Sequence, residues 1–224
     1  MRSAPLENGP SIAVRDDELG RFCATMAEGL HALAQPLTIL RSAVAACMAP
    51  SVTAAGQQRY MELSTQHVER TCSLFECLQD LVMASQTEAE CEAFELRELL
   101  APVIEDQAAA LRSPAIELRV NAPDALRPVL GDAARTLQAL FSALTIAASV
   151  SSAGDVIELA VTARNGFVEL NIQNRRIHGR RLNSSERLSL ALAETNIRSQ
   201  RGQYEWAEDP FRVSMALPLQ GGDP

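Results

Sequence analysis

The sequence has few aromatic residues and no long apolar or basic run, and each absence excludes a class of function. Aromatic residues make up 4% of the 224 residues, which is too few for base-stacking platforms. Acidic residues outnumber basic ones by 28 to 20, and the formal charge of -8 disfavours nucleic acid as a partner. No run of about 18 apolar residues is present, so neither a membrane-spanning helix nor an export signal is expected. We therefore expect a cytoplasmic protein with no nucleic-acid partner and no membrane partner.

Cysteine and histidine are also scarce. The five cysteines and three histidines form neither a CxxC pair nor a cluster with metal-ligand spacing. We interpret the cysteines as reduced thiols and predict no metal site. Hydrophobic residues nevertheless make up 47% of the chain, which is enough to bury a sizeable core in one or two domains.

The first half of the chain shows helical spacing of apolar residues. After a flexible tail over residues 1–15, two helical segments are expected over about 16–49 and 54–85, with Pro50 and Gly56 marking the turn. Two long helices joined by so short a turn must fold back on each other. The sequence therefore predicts an antiparallel helical hairpin over residues 16–86.

The second half mixes helical and alternating patterns. A polar stretch from Gln86 to Glu92 is predicted to be the linker between the two domains. Beyond it, over 93–220, predicted strands alternate with predicted helices, and Asn165-Gly166 is a specific signal for a β-hairpin. Asn183 or Ser184 is the predicted cap of the last helix. The predicted fold class is α+β, a helical hairpin followed by a sheet covered by helices.

One histidine falls on the polar side of the first helix. At about 100° per residue, one stripe collects the large apolar side chains and is predicted to be buried: Phe22, Met26, Leu30, Leu33, Leu37, Leu40 and Val44. His31 lies about 140° from the middle of this stripe, with Thr38 near it. The wheel predicts that His31 faces solvent, although exposure by itself assigns no function to a histidine.

The residues that begin at His31 resemble the H-box of bacterial sensor histidine kinases. His31-Ala32-Leu33-Ala34-Gln35-Pro36-Leu37 is similar to the subgroup that reads H-E-x-x-Q-P-L. A proline inside a long helix costs about 3 kcal/mol, and in that family it lies one turn after the phospho-accepting histidine. The resemblance extends over about residues 16–219. It implies a dimerisation-phosphotransfer hairpin, which forms a four-helix bundle in a homodimer, followed by an α/β-sandwich ATPase-like domain.

The resemblance fails at the elements with which that family binds ATP. Ser142, Ile146 and Ser149 stand where the N-box has two asparagines and commonly a lysine, and Ile146 cannot ligate a hard cation. Asn174 and the four residues after it replace D-x-G-x-G, and residues 187–190 replace the glycine-rich loop that cradles phosphates. ATP binding is therefore predicted to be lost and no cofactor is expected. Magnesium is expected to come from a partner receiver domain.

Together these features predict a histidine phosphotransferase, which relays a phosphoryl group between receiver-domain aspartates of response regulators through His31. The predicted neighbours of His31 are the polar residues Gln35 and Thr38, and the predicted docking surface includes Leu30, Ala34 and Pro36. Ala32 replaces the acid that kinases carry after the histidine. Its loss fits phosphotransfer from a receiver, and it fits an inert histidine equally well.

Two alternatives remain open at this stage. The first is a catalytically inert pseudokinase scaffold that binds response regulators, and the second is an active kinase with an unusual ATP site, which Ile146 and Arg187 disfavour. A basic cluster in this acidic chain either contacts a partner or is a solvated loop: Arg175, Arg176, Arg180 and Arg181.

Overall fold

The computed structural model describes residues 11–112, 115–123, 125–174 and 180–221. Contacts divide the chain into two compact units, Met1–Leu78 and Gln79–Pro224. The division falls inside the second helix, upstream of the polar stretch that the sequence predicts as the linker. The first unit consists of helices, and the second contains the sheet.

Two long helices form the hairpin, α1 over Ser11–Cys47 and α2 over Ala54–Gln86. α1 begins inside the predicted tail, because residues 11–15 contain neither glycine nor proline to stop a helix. Thr53 precedes α2, and its hydroxyl accepts a hydrogen bond from the Gly56 N–H at 3.2 Å. This is an N-cap, which explains why α2 starts where it does.

The buried side of α1 differs from the predicted stripe. Its buried residues are mostly small: Gly29, Ala32, Pro36 and Ala43. Leu30, Leu37 and Val44, assigned to the buried stripe by the wheel, are 59%, 47% and 46% exposed. That assignment is wrong for the single chain. A wheel centred on large apolar residues merges the buried side with a second, exposed apolar side about 100° away.

The second unit is a mixed five-stranded sheet with helices packed on it. The strand order is β2-β4-β5-β7-β6, in which β2 pairs parallel to β4 and the other neighbours are antiparallel. The strands of this sheet are β2 Glu117–Asn121, β4 Val156–Arg164, β5 Phe167–Asn174, β6 Gln203–Glu208 and β7 Phe211–Pro218. The helices are α3 Leu96–Arg112, α4 Ala133–Ser149 and α5 Ser184–Arg198.

Alternation along the strands places the core on one side of this sheet. Every second residue of β4, from Ile157 to Val161, is buried, and the same holds for β5 from Val168 to Ile172. The two strands are joined at Asn165 and Gly166, whose φ values of 52° and 78° are those of a tight hairpin turn. The α+β prediction is confirmed.

Two short strands were not predicted from the sequence as a pair. β1 (Glu92–Phe94) pairs antiparallel with β3 (Val129–Gly131), and three residues of β3 carry too little pattern to be recognised. Among the helices of the described residues, none is both long enough and apolar enough to cross a membrane.

Candidate functional site

His31 lies on an exposed side of α1, and Gln35 and Thr38 follow it at intervals of four and three residues. These intervals place the three side chains on one side of a helix. All three residues are exposed, and within the described part of the chain His31 has no hydrogen-bond partner. The position agrees with the solvent-facing direction that the wheel predicts. An open imidazole with no bonded acid or base is free to meet a reacting group from another molecule.

The residues around this side are held by the helix itself. The Thr38 hydroxyl donates to the Ala34 carbonyl at 2.8 Å, and the Ser42 hydroxyl donates to the Thr38 carbonyl at 2.9 Å. Pro36 has no N–H, so the Ala32 carbonyl loses its donor one turn after His31. Thr38 therefore has its proton committed to the backbone, and only its oxygen remains available as an acceptor.

The three predicted docking residues do not share one surface. Leu30 and Ala34 are exposed beside His31, but Pro36 is buried. Pro36 is about 140° from His31 around the helix, so it offers almost no surface to a partner. The assignment of Pro36 to the docking surface is therefore wrong.

A different set of side chains lies at the positions aligned with the nucleotide site of histidine kinases. Ile146 on α4 is 4% exposed and packs in the hydrophobic core of the second unit. Asn174, at the end of β5, is 3% exposed, and its amide donates to Ser151 Oγ at 2.8 Å. Both side chains are thus committed to the protein interior, where neither offers a free ligand to a nucleotide.

Ser149, the last residue of α4, is hydrogen-bonded to an ion pair at the start of α5. Arg180 Nη2 lies 2.7 Å from Glu186 Oε1 and donates to Ser149 Oγ at 3.1 Å. Ser149 Oγ is also 2.7 Å from the same Glu186 oxygen. Glu186 further accepts from the Asn183 N–H at 2.9 Å, and Asn183 accepts from the Glu186 N–H at 3.0 Å. The first turn of α5, where the family binds phosphates, is closed by its own capping box.

The electrostatics of this cluster are internally balanced. Burial raises the pKa of Glu186, but hydrogen bonds from Arg180, the Asn183 N–H and Ser149 outweigh it and hold that pKa below its ordinary value. The hydrogen bond to Glu186 in turn raises the pKa of Arg180. Both groups are charged at neutral pH and their charges cancel, so the cluster has little net attraction for phosphate.

Further contacts hold the next residues in the same way. Arg187, aligned with the first glycine of the phosphate loop, donates to Glu208 Oε2 at 3.1 Å. The Leu182 N–H donates to the other carboxylate oxygen of Glu208. Of the predicted basic cluster, Arg175 and Arg176 lie outside the described residues; Arg180 pairs with Glu186, and Arg181 is exposed.

Solved structures with a similar fold exist, although no protein-family model and no curated protein matches the sequence. The Acinetobacter baumannii histidine kinase AdeS matches with 17% identity and a TM-score of 0.68, over 85% of this chain and 98% of that one. Histidine kinase ThkA, solved in complex with response regulator protein TrrA, matches with 17% identity and a TM-score of 0.71, over 92% of this chain and 64% of that one.

The fold is that of a histidine kinase core. The prediction of that architecture from the H-box resemblance is confirmed. Full-length ShkA in complex with AMPPNP also matches, with 14% identity and a TM-score of 0.58, over 83% of this chain and 45% of that one. At sequence identities of 14% and 17%, the similarity extends to the fold alone. What this chain can do chemically depends on its own side chains.

Glu186 and Glu208 were missed in the sequence. For Glu186 a signal was present, because Asn183-Ser184-Ser185-Glu186 has the spacing of a capping box. For Glu208 no local signal exists, since it bonds residues 21 and 26 positions away. Hydrogen bonds between residues so far apart in the sequence form only because the fold brings β6 beside α5.

Proposed function

We propose that this chain is a histidine phosphotransfer protein of two-component signalling, which receives a phosphoryl group from the aspartate of one response regulator receiver and passes it to another. His31 is the proposed acceptor. The observation that carries the proposal is the contrast between two places in the chain. His31 is exposed within an H-box sequence, whereas the side chains at the nucleotide positions are bonded to each other or buried.

The proposed step needs little from the residues around His31. An unprotonated ring nitrogen of His31 attacks the phosphorus of an aspartyl phosphate, a nitrogen–phosphorus bond forms, and the phosphorus–oxygen bond to the aspartate breaks. The carboxylate leaves with the electron pair, and the proton on the other ring nitrogen passes to water. The receiver supplies the magnesium that balances the phosphate charge.

Loss of ATP binding is part of the proposal. Ser149 and Glu186 bond across the gap between α4 and α5, and Arg180 completes the cluster with its charge already neutralised. A triphosphate entering there must break this cluster without gaining a magnesium ligand from Ile146. Titration of the full chain with Mg-ATP is therefore expected to give no saturable heat and no thermal stabilisation up to millimolar nucleotide. Saturable binding would restore the kinase alternative.

A homodimer through the hairpin is also proposed. Each helix carries an exposed apolar row with a spacing of seven residues: Leu30, Leu37 and Val44 on α1, and Met61, Val68 and Phe75 on α2. Seven-residue spacing is typical of helices that pack along a bundle. On α1 the row is centred about 120° from His31, so a second copy packed on the rows leaves the imidazole open. It would cover Leu30, so of the predicted docking residues Ala34 is the one left for a receiver.

The phosphotransfer proposal is tested by incubating the full chain with a separately phosphorylated, labelled receiver. The chain is expected to acquire a label that is labile to acid and stable to base, as a phosphoramidate is. His31→Ala should abolish the label. His67→Ala is the matched control, because His67 is half-buried on α2 of the same hairpin, and it should retain the label. His178→Ala, at a position outside the described residues, should retain it too.

Two outcomes would contradict the proposal. A label that persists in His31→Ala places the acceptor elsewhere. If no receiver from the same cell labels the wild-type chain, although the receivers bind it, the inert scaffold becomes the better account. Ala32 beside His31 is the residue that favours this second candidate, since no carboxylate stands next to the histidine.

A further inference from the structure

The chain that leaves α2 is bonded to the start of α4 through one arginine. The Arg135 guanidinium donates to the Ala84 carbonyl at 3.2 Å, the Thr87 carbonyl at 3.0 Å, the Thr87 hydroxyl at 2.7 Å and the Glu88 carbonyl at 3.4 Å. All of these residues belong to the second compact unit. One side chain therefore contacts Ala84 in the last turn of α2 and two residues, Thr87 and Glu88, of the segment that composition marks as a linker.

We propose that residues 84–90 form a strap clamped to α4 by Arg135, and that this clamp holds the predicted linker on a fixed path. The proposal does not depend on the role of His31. It concerns a conformational device within the second unit, and it assigns to Arg135 a task that the sequence does not reveal.

Asp132 holds the other end of the strap. Its carboxylate accepts from the Glu90 N–H at 3.3 Å and from the Arg135 N–H at 3.0 Å, the second bond being the N-cap of α4. Arg135 Nε lies 3.4 Å from the same carboxylate, and Arg135 Nη1 donates to Ser199 Oγ at 2.8 Å. Contacts with Asp132 and Ser199 thus orient the Arg135 side chain, and its remaining N–H donors point to the strap.

The chemistry of the acceptors explains why an arginine stands here. α2 ends at Gln86, so the carbonyls of its last turn lack partners within the helix. A cation at the end of a helix satisfies such carbonyls and interacts favourably with the helix dipole. The planar guanidinium carries five donors in a fixed fork, so it can bond more oxygens at once than the three donors of an ammonium group. Its side chain is 13% exposed, which limits competition from water.

A second contact anchors the chain just before the strap. Gln138 Nε2 donates to Asp80 Oδ2 at 3.1 Å, and Gln138 Oε1 accepts from Asn196 Nδ2 at 2.8 Å. Asn196 on α5 is 2% exposed, so its buried side chain fixes the position of the Gln138 amide. The last turns of α2 are therefore bonded to α4 independently of Arg135, and loss of the clamp should free the strap without freeing residue 80.

The sequence of the strap supplies a direct probe. Glu88 and Glu90 of the strap, and Glu92, which begins β1 directly after it, are sites for a glutamate-specific protease. Such a protease cuts only where the backbone can unfold locally into its active site. In the full-length protein, Arg135→Ala is expected to speed cleavage at these three positions about tenfold or more, because several bonds to a charged group are lost together. Arg127→Ala is the matched control, since Arg127 is an exposed arginine of the same unit, and it should cleave at the wild-type rate.

A second variant keeps the test decisive if Arg135→Ala fails to fold. Thr87→Val preserves the side-chain shape but removes the hydroxyl, which accepts from Arg135 and donates to the Met83 carbonyl at 2.7 Å. Cleavage at the same three glutamates should therefore rise by a smaller factor. Amide hydrogen exchange gives an independent readout, with faster exchange expected over 84–92 and unchanged exchange in β4 and β5. Unchanged cleavage in both variants would overturn the clamp. Equal acceleration at glutamates throughout the second unit would overturn it too, because Arg135 would then be a general stabiliser.

Discussion

The substitution Phe75→Glu, in the apolar row of α2, is the sharpest test of the proposed homodimer. The residue is 54% exposed in the single chain. A phenylalanine side chain presents about 200 Å² in all, so about 100 Å² is available to a partner. At about 25 cal/mol per Å², covering that area contributes about 2.5 kcal/mol. Twofold symmetry doubles the contribution to about 5 kcal/mol per dimer.

The expected change in affinity follows from this area. Because about 1.4 kcal/mol corresponds to a factor of ten, Phe75→Glu should raise the dimer dissociation constant about a thousandfold or more. Burying the new carboxylate adds to the effect. Sedimentation equilibrium over a micromolar dilution series would show a monomer where the wild-type chain is a dimer.

Phe141→Glu provides the matched control for this measurement. Phe141 on α4 is 46% exposed, nearly as much as Phe75, but it belongs to the second unit and lies outside the apolar rows. It should leave the dissociation constant unchanged. A wild-type chain that is monomeric at micromolar concentration would refute the reasoning, as would equal dissociation of the two variants.

Tyr204 and Glu186 each support a further prediction. The Tyr204 hydroxyl is buried and has no hydrogen-bond partner in the part of the chain that the structure describes, so Tyr204→Phe should stabilise the protein by about 1 kcal/mol in urea unfolding. The same burial raises the pKa of Tyr204. The pKa of Glu186 is lowered, so its contribution to stability is present above the ordinary carboxyl pKa and is lost as the pH falls through the lower folded value. The stability difference between wild type and Glu186→Gln, measured by urea unfolding, should therefore be largest near neutral pH and vanish in acid. A difference independent of pH would contradict this.

The sequence by itself determined most of the helices and strands, β3 excepted, and the side of α1 on which His31 lies. Helical spacing predicted α1 and α2, the alternating runs around Asn165-Gly166 predicted β4 and β5, and Asn183 was one of the two residues predicted as the cap of α5. These features depend on neighbours within a few residues, where spacing and side-chain chemistry act directly. The exposure of His31 was predictable for the same reason, because a helical wheel needs only the local repeat.

Only the tertiary structure decided which apolar side of α1 is buried and which side chains fill the nucleotide positions. The wheel assigned Leu30 to the interior, whereas small residues such as Ala32 occupy it. Arg135 meets the Ala84 carbonyl across 51 positions of sequence, and Ser149 meets Glu186 across 37. Such contacts depend on how whole helices and strands pack. A polar side chain bonds to whichever complementary group the fold brings near it, and no pattern of neighbouring residues in the sequence specifies that group.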